Sequence, residues 1–372
     1  MKTRGIMVTA LVVALAVALF GCSQPAPDYT RMTGAWQYVE EASNIDLSIF
    51  GVGDLEYLEI DGGAGVVTAY GRDPDVDLAG CSKKLATFGD NRTITFWVGS
   101  CSTKTFSYEL RDDGELALRD AGGHQAILRY VDEVPAGSRC KPVEFASEGH
   151  AYGLGGANGN TNLLSDGSDL WVVDSGGTAY PIDPDTWVMS MGTTLNNANP
   201  AFNHAKTMQG ASYWVTCNCG GNDTIKRISL GGTELDNVDT ASLGSSIGIN
   251  AGVYSPASGH LWLSGYDYAA ELNRLLEIDS DANPNALVRN YVFNLSLRAM
   301  SEKDGHLWGL VRFGEYMLVR LNPQAGVVDD AYQLPVLEEG ARYSGLTVLG
   351  GEMYVMAERN DGWVVIYKLN PL

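Results

Sequence analysis

The chain has 372 residues, 45 acidic against 25 basic side chains, a formal net charge of -20 and 45% hydrophobic residues, with 44 glycines and 8 tryptophans. So acidic a surface repels nucleic acid, and no basic patch offsets it, so a nucleic-acid partner is excluded. The apolar fraction suffices for real cores, and the length suits about two domains.

Lys2 and Arg4 precede an uncharged, mostly apolar run over residues 6–20. The run is shorter than the ~20 residues of a comfortable membrane span and fits the apolar region of a secretory signal. Leu19-Phe20-Gly21-Cys22 closes it. That string resembles the lipobox of bacterial lipoproteins, although Phe20 is larger than the residue usual at its position. The resemblance implies a signal peptide over residues 1–21, lipid attachment at Cys22 and a tether over residues 22–29. Ser23, not Asp, follows the cysteine, which in such lipoproteins favours the outer membrane. The membrane is then reached through the lipid alone, held stably by several acyl chains and weakly by one.

Residues 30–135 carry short strand-like runs at 55–60, 65–70, 93–98, 104–110, 115–119 and 125–130, with turn formers at 89–91 and 112–114 between them. Residues 38–49 hold at most a helical turn or two. The opening Gly34-x-Trp36 resembles the first strand of the lipocalin-like barrels of bacterial lipoproteins. The resemblance implies a small antiparallel barrel whose Trp plugs one end and whose other end has room for a small apolar ligand, unless the barrel's own side chains fill it. Asp73, Asp75 and Asp77 alternate like a calcium loop, but Leu78 and Lys84 stand where that loop needs Gly and Glu, so this is a solvated turn.

With Cys22 lipidated, five cysteines remain. In an oxidising compartment Cys81 and Cys101 are expected to form a disulfide within the first domain. The odd number leaves a thiol free or paired between chains. Cys217 and Cys219 lack the second ligand pair of a metal site, and Cys140 pairing with either of them stays open.

Residues 140–372 repeat. Trp171, Trp214, Trp262, Trp308 and Tyr354 recur at spacings of 43, 48, 46 and 46, each after a tight turn and before a second strand that ends in an aliphatic residue and a turn former. A strand-only repeat of ~40–50 residues is the signature of a β-propeller blade. The bulky ring fills the wedge between neighbouring blades. The last copy stops at residue 372, after its third strand, so a segment near residues 141–145 is expected to supply the missing outermost strand and close the ring. Other blades have their own, at 187–191 and 287–292. Five blades follow, or six if residues 145–165 hold a degenerate one. The region is similar to kelch-, NHL- and YVTN-type propellers, and the fold class is all-β, a lipocalin-like barrel followed by this propeller.

In a propeller, the loops entering the innermost strands and those joining the second and third strands share one face. They bring Asn160, Asn162, Asn203, His204, Asn250, Arg298, Arg342 and Tyr343 from the first set, and Cys217 to Cys219, Tyr266 to Tyr268, Arg312 and Arg359 from the second. The expected ligand rim is Asn162, His204, Asn250, Tyr266, Arg298, Arg312, Arg342 and Tyr343. Arginines on an acidic background suit an anionic or sugar-like ligand.

No residue is assigned a catalytic role. Gly244-Ser-Ser246-Ile-Gly248 matches a nucleophile elbow formally, but that motif needs a strand–turn–helix setting. His260 and His306 recur in Gly-His-Leu-Trp at one repeat position and read as turn residues. Asp279, Asp281 and Asn283 lack an acidic closer for calcium. The reading is a membrane-anchored, non-enzymatic binding or scaffolding lipoprotein that meets an envelope protein or glycan and needs no cofactor. The competing class is a lactonase-like hydrolase or lyase, which would place calcium at the channel mouth.

Overall fold

The computed structural model describes residues 31–39, 44–73, 78–89, 92–98, 102–154, 161–174, 176–194, 204–216, 224–239, 247–282, 285–293, 295–313, 315–338 and 340–372. These pack as two units. One holds the described residues of Met1–Ile49, Glu56–Ala69 and Lys83–Val134, and the other those of Phe50–Leu55, Tyr70–Ser82 and Pro135–Leu372. Signal, tether and Cys22 lie outside the described residues.

Eight strands close into an antiparallel barrel in chain order: β1 (Gly34–Tyr38), β2 (Asp54–Asp61), β3 (Val66–Asp73), β4 (Leu78–Gly89), β5 (Thr93–Val98), β6 (Ser102–Leu110), β7 (Glu115–Arg119) and β8 (Gln125–Val131). β1 pairs with both β2 and β8, which removes the free edges. The period-2 pattern explains the inside: Ile94 and Phe96 on β5 are buried, Phe106 pairs with Ile94, and the Phe96 and Phe106 rings meet edge to face at 5.7 Å. Trp36 is buried, and its indole N–H donates to Met32 O at 2.8 Å. Gly34 makes room for its cap, since a Cβ there, at φ +142, would come 2.8 Å from a ring carbon of Tyr130. The helical turns expected over 38–49 amount, among the described residues, to one 3-10 turn at Ser48–Phe50.

The expected Cys81–Cys101 disulfide is corrected. Cys81, on β4, is bonded to Cys140, with Cα atoms 6.1 Å apart, a separation that suits a disulfide. A cysteine forms one such bond, so Cys101, which lies outside the described residues, has another fate. Cys81 and Cys140 both belong to the second unit.

Five sheets make the propeller. Blade one is β11 (Asn162–Ser165), β12 (Leu170–Val173), β13 (Thr178–Ile182) and β14 (Thr193–Thr194); blade two is β15 (His204–Gln209), β16 (Ser212–Thr216), β17 (Thr224–Ser229) and β18 (Glu234–Asp239). Blade three is β19 (Ile247–Ser255), β20 (His260–Asp267), β21 (Leu272–Asp279) and β22 (Ala286–Val292). Blade four is β23 (Leu297–Lys303), β24 (His306–Phe313), β25 (Glu315–Asn322) and β26 (Val327–Gln333), extended by β9 (Lys141–Pro142) running parallel to β26. Blade five is β27 (Arg342–Leu349), β28 (Glu352–Glu358), β29 (Trp363–Lys368) and β10 (His150–Gly153). The innermost strands touch in a closed cycle: β11 meets β15, β15 meets β19, β19 meets β23, β23 meets β27, and β27 meets β11.

Each repeating aromatic sits in its own interface between blades. Trp214 packs with Ile247, Ile249 and Leu276 of the next blade, Trp262 with Leu297, Met300 and Leu307, and Trp308 with Tyr343, Leu346 and Met353. Tyr354 packs with Leu163, Leu170 and Ile182, and a half-buried Trp171 lies against Ala205, Tyr213 and Val215. Five rings thus wedge five gaps.

Two strand assignments are corrected. The outermost strand of blade one is Thr193–Thr194, not 187–191, where Trp187 has a positive φ of 56 and only an isolated Ile182–Met189 bridge forms. The strand that completes blade five is His150–Gly153, not 141–145. Lys141–Pro142 lengthens blade four instead, and Phe145 forms a single bridge to Leu369. Within residues 145–165, His150–Gly153 belongs to blade five and Asn162–Ser165 to blade one, and the described residues contain no sixth propeller sheet.

Candidate functional site

The expected rim lies where the innermost strands begin. In blades two to five the register of the innermost strand slips by one residue, at Lys206, Asn250, Arg298 and Ser344, in the last three blades just after the partners of Gly265, Val311 and Ala357. In blades three to five the bulge falls three residues before the partner of the blade's aromatic. A bulge leaves its extra residue unpaired and re-aims the side chain. Asn250 and Arg298 accordingly stand exposed.

Arg298 does not stand alone. Its guanidinium carbon lies 5.7 Å from the centre of the Tyr316 ring, and that of Arg312, from the end of β24, lies 5.7 Å from the same centre. Tyr316 is itself held edge-on by Tyr343 at 5.4 Å. Both arginines are exposed, and among the described residues neither has a carboxylate partner. Two like charges are thus brought to one ring, where either can also turn toward a bound anion. Tyr316 was not among the residues expected at this face. Its signal was its place directly after the loop that joins the second and third strands of blade four.

The rest of the expected rim fares differently. Tyr343 is corrected: it is wholly buried, its hydroxyl donates to Pro335 O at 2.9 Å, and burial raises its pKa well above the usual tyrosine range. Arg342 places Nε and Nη2 each 2.9 Å from Glu358 Oε2, within blade five, while Glu358 Oε1 accepts the Thr161 N–H at 2.9 Å and so ties blade five to the residue that precedes blade one. Asn162 donates from Nδ2 to Ala205 O at 2.8 Å, a bridge from blade one to blade two. Arg359 is paired with Glu338 and Asp361. Tyr266 meets Tyr268 edge to face at 5.3 Å. The backbone of His204 opens β15, but its side chain, like Asn160, Asn203, Cys217, Cys219 and Ser246, lies outside the described residues.

At the other end of the innermost strands, sequence reading foresaw nothing and the structure holds a cavity of ≈ 450 Å³. All five innermost strands line it, from Leu163, Lys206, Val253, Met300 and Leu346 down to the turns at Asp166, Gln209, Pro256 and Asp304. The repeat did mark these turns, but as punctuation.

Charged groups elsewhere in the propeller are occupied structurally. His260 Nδ1 lies 2.7 Å from Glu277 Oε1, and Arg289 Nη1 lies 2.6 Å from Glu277 Oε2. His306 Nδ1 lies 3.1 Å from Asp304 O. Asp279 Oδ1 caps the N–H groups of Asp281 and Ala282 at 3.1 and 3.0 Å, closing a turn. Among the described residues, no group of three or more His, Cys, Asp or Glu side chains is placed to hold a metal ion.

Comparison with solved structures finds distant neighbours. Glutaminyl cyclase from Myxococcus xanthus matches at 13% identity and a TM-score of 0.44, over 62% of this chain and 98% of its own. A PQQ-bound aldose sugar dehydrogenase from Streptomyces coelicolor matches at 12% identity and a TM-score of 0.36, over 61% and 100%. BamB from Moraxella catarrhalis matches at 12% identity and a TM-score of 0.30, over 90% and 99%. No protein-family model and no curated protein matches the chain.

Proposed function

We propose that the chain is a lipid-anchored, non-enzymatic binding lipoprotein of the bacterial envelope. Its propeller rim holds an envelope protein or glycan through Arg298, Arg312 and Tyr316, with the bulged Asn250 of blade three contributing. The observation that carries this reading is the convergence of two exposed guanidinium groups on one aromatic ring. A guanidinium binds carboxylate or phosphate through two parallel donors and stacks on flat surfaces, and a tyrosine ring accepts a sugar face or a peptide side chain. On a chain with a net charge of -20, that pair is a local attractor for an anionic group. Export is supported by the residues ending at Cys22 and by the Cys81–Cys140 disulfide, a bond that persists in oxidising compartments.

Two experiments test the two halves. In cross-linked cells, Arg298→Ala with Arg312→Ala should lose the envelope partner that the wild type captures, and capture by wild type should weaken at high salt. A partner retained equally by the folded double variant refutes the rim. Cys22→Ala or globomycin should leave the precursor unprocessed, and an unchanged mature band refutes the anchor.

A further inference from the structure

The outer edges of the five blades are not alike. An outermost strand presents a row of unpaired N–H and C=O groups, which invites another chain unless something blunts it. Blade one ends in a strand of two residues, Thr193–Thr194. Blade two ends in β18, whose Glu-Leu-Asp-Asn-Val-Asp carries three carboxylates. Blade four has its edge covered by Lys141–Pro142, and blade five ends in the four residues of β10. β22 of blade three has none of these protections. It runs for seven residues, Ala-Leu-Val-Arg-Asn-Tyr-Val, and no strand among the described residues pairs with its outer side. Leu287, Val288 and Val292 are 37%, 44% and 56% exposed. The strand holds no carboxylate, and its one charge is already engaged: Arg289 reaches Glu277 Oε2 at 2.6 Å and Gln324 Oε1 at 2.7 Å. Its one-residue slip at Val288 has equivalents in β18 and β26.

The hydrogen-bonding phase of β22 is fixed by its end. The Phe293 N–H donates to Asn273 O at 2.9 Å. Antiparallel alternation then turns Tyr291 and Arg289 toward β21 as well, and Asn290 and Val292 direct their N–H and C=O groups outward. On that outward edge the sequence is its own complement. Laid antiparallel about Asn290, a second β22 sets Asn290 opposite Asn290, Val292 opposite Val288, and Arg289 opposite Tyr291. Amide meets amide, aliphatic meets aliphatic, a guanidinium meets a ring, and no like charges face each other. Asn290 bonds outward, so the two-fold axis falls where two opposed residues exchange both main-chain hydrogen bonds. A foreign strand would require no such symmetry in β22.

We propose that the outer edge of blade three pairs antiparallel with the same edge of a second copy of this chain, across a two-fold axis at Asn290, joining two four-stranded sheets into one. The interface is isologous, as a closed dimer requires. A single strand pair buries less than a stable dimer needs, so association is weak. The net charge of -20 on each copy opposes it further. Added salt screens that repulsion and strengthens the dimer, the opposite of its effect on an anion held by the rim arginines.

Asn290→Cys in the full chain, in its own membrane, tests the register. Directly opposed, mutually bonded residues have Cα atoms about 5.5 Å apart, which suits a disulfide. Mild oxidation should therefore cross-link two copies, and mass spectrometry should find the peptide carrying position 290 joined to itself. Asn237→Cys, exposed on the edge of blade two, should cross-link far less. For the detergent-solubilised full chain, sedimentation equilibrium should show a monomer–dimer equilibrium with a dissociation constant of about 10–100 µM, tightening about threefold or more from low to high salt. Asn290→Pro removes an outward N–H that the single copy does not use and should leave a folded monomer. Should it fail to fold, Val292→Lys puts a charge on the edge and should weaken the dimer about tenfold or more. Arg298→Ala should leave the dimer unchanged, which separates this edge from the rim. A chain that stays monomeric up to about 0.3 mM at high salt, a dimer undiminished in folded Asn290→Pro or Val292→Lys, or equal cross-linking at positions 290 and 237 would each overturn the proposal.

Discussion

Asp166 shows how much one turn residue can hold. Burial pushes its pKa up, but hydrogen bonds from the Asp169 and Ser168 N–H groups, the Ser168 hydroxyl and the Trp171 indole outweigh burial and bring it below the usual carboxylate value. A carboxylate held low in the folded state contributes stability above its unfolded pKa of about 4, and that contribution is lost as pH falls through the lower folded value. Asp166→Asn should therefore cost about 1 kcal/mol near neutrality, and its difference from wild type should shrink as pH falls below the usual carboxylate range. Urea unfolding at a series of pH values checks this. Arg342 makes the complementary case. Its removal strands the buried Glu358 with only the Thr161 N–H, and because the arginine is half exposed, a loss of about 1–2 kcal/mol is expected on Arg342→Ala, below the usual cost of breaking a fully buried pair. At this scale the sequence was legible for type and opaque for commitment. Arginines and tyrosines near the loops were picked as rim material, but nothing in the string of residues told Arg298 and Arg312, which meet at Tyr316, from Arg342, which Glu358 occupies, or from Tyr343, which is buried. Those differences arise from partners four to eighteen residues away that the fold brings together, or from a one-residue bulge.

The repeating aromatics are the elements' own evidence. Each ring lies on the second strand of a blade and packs into the gap beside the next one, so its removal opens a cavity at an interface of two sheets. Trp214 is completely buried, and its indole N–H meets Gln209 Oε1 at 2.9 Å. Trp214→Ala should cost about 3–5 kcal/mol, whereas Trp214→Phe should cost roughly half of that, because most of the wedge volume survives. Equilibrium unfolding of both variants separates volume from hydrogen bonding. The disulfide acts on a different element pair. Cys81 and Cys140 are 59 positions apart, and opening a loop of that length should cost about 4 kcal/mol on the chain-entropy model. Cys140→Ser measured against wild type under oxidising conditions checks it, and equal stability would deny the bond. Strands with a strong period-2 pattern, such as β5 and β7, were read to the residue. β4 was missed because its Cys-Ser-Lys-Lys stretch lacks an alternating apolar signal, and the closing strand was misplaced because only Tyr152 of its four residues is buried.

For the second unit as a whole, closure is the physical issue. A linear row of sheets would leave two apolar faces bare, whereas a ring leaves none. The chain closes its ring with a strand from before the first blade: His150–Gly153 pairs with β29 along Val364, Val365 and Ile366. On the way there, Lys141–Pro142 lies along blade four and Phe145 bridges to Leu369 in blade five, its ring stacked on Tyr367 at 4.0 Å. The same stretch of chain therefore ties the last two blades together and shuts the circle. The number of blades was readable from the aromatic spacing because every interface needs its wedge. The seam was not, because one strand of the ring is enough to close it and carries no repeat to reveal it. Deleting residues 366–372 removes Ile366 and Leu369, both buried in the last two interfaces, and leaves β10 with little to pair against. Opening the ring exposes the facing surfaces of two blades at once, so unfolding of the second unit should lose its single sharp transition and bind hydrophobic dyes at temperatures where wild type does not. A deletion of equal length within the exposed outer strand β22 spares the seam and should shift the transition without abolishing it. If both deletions behaved alike in calorimetry, the closing strand would be one contact among many and not the latch of the ring.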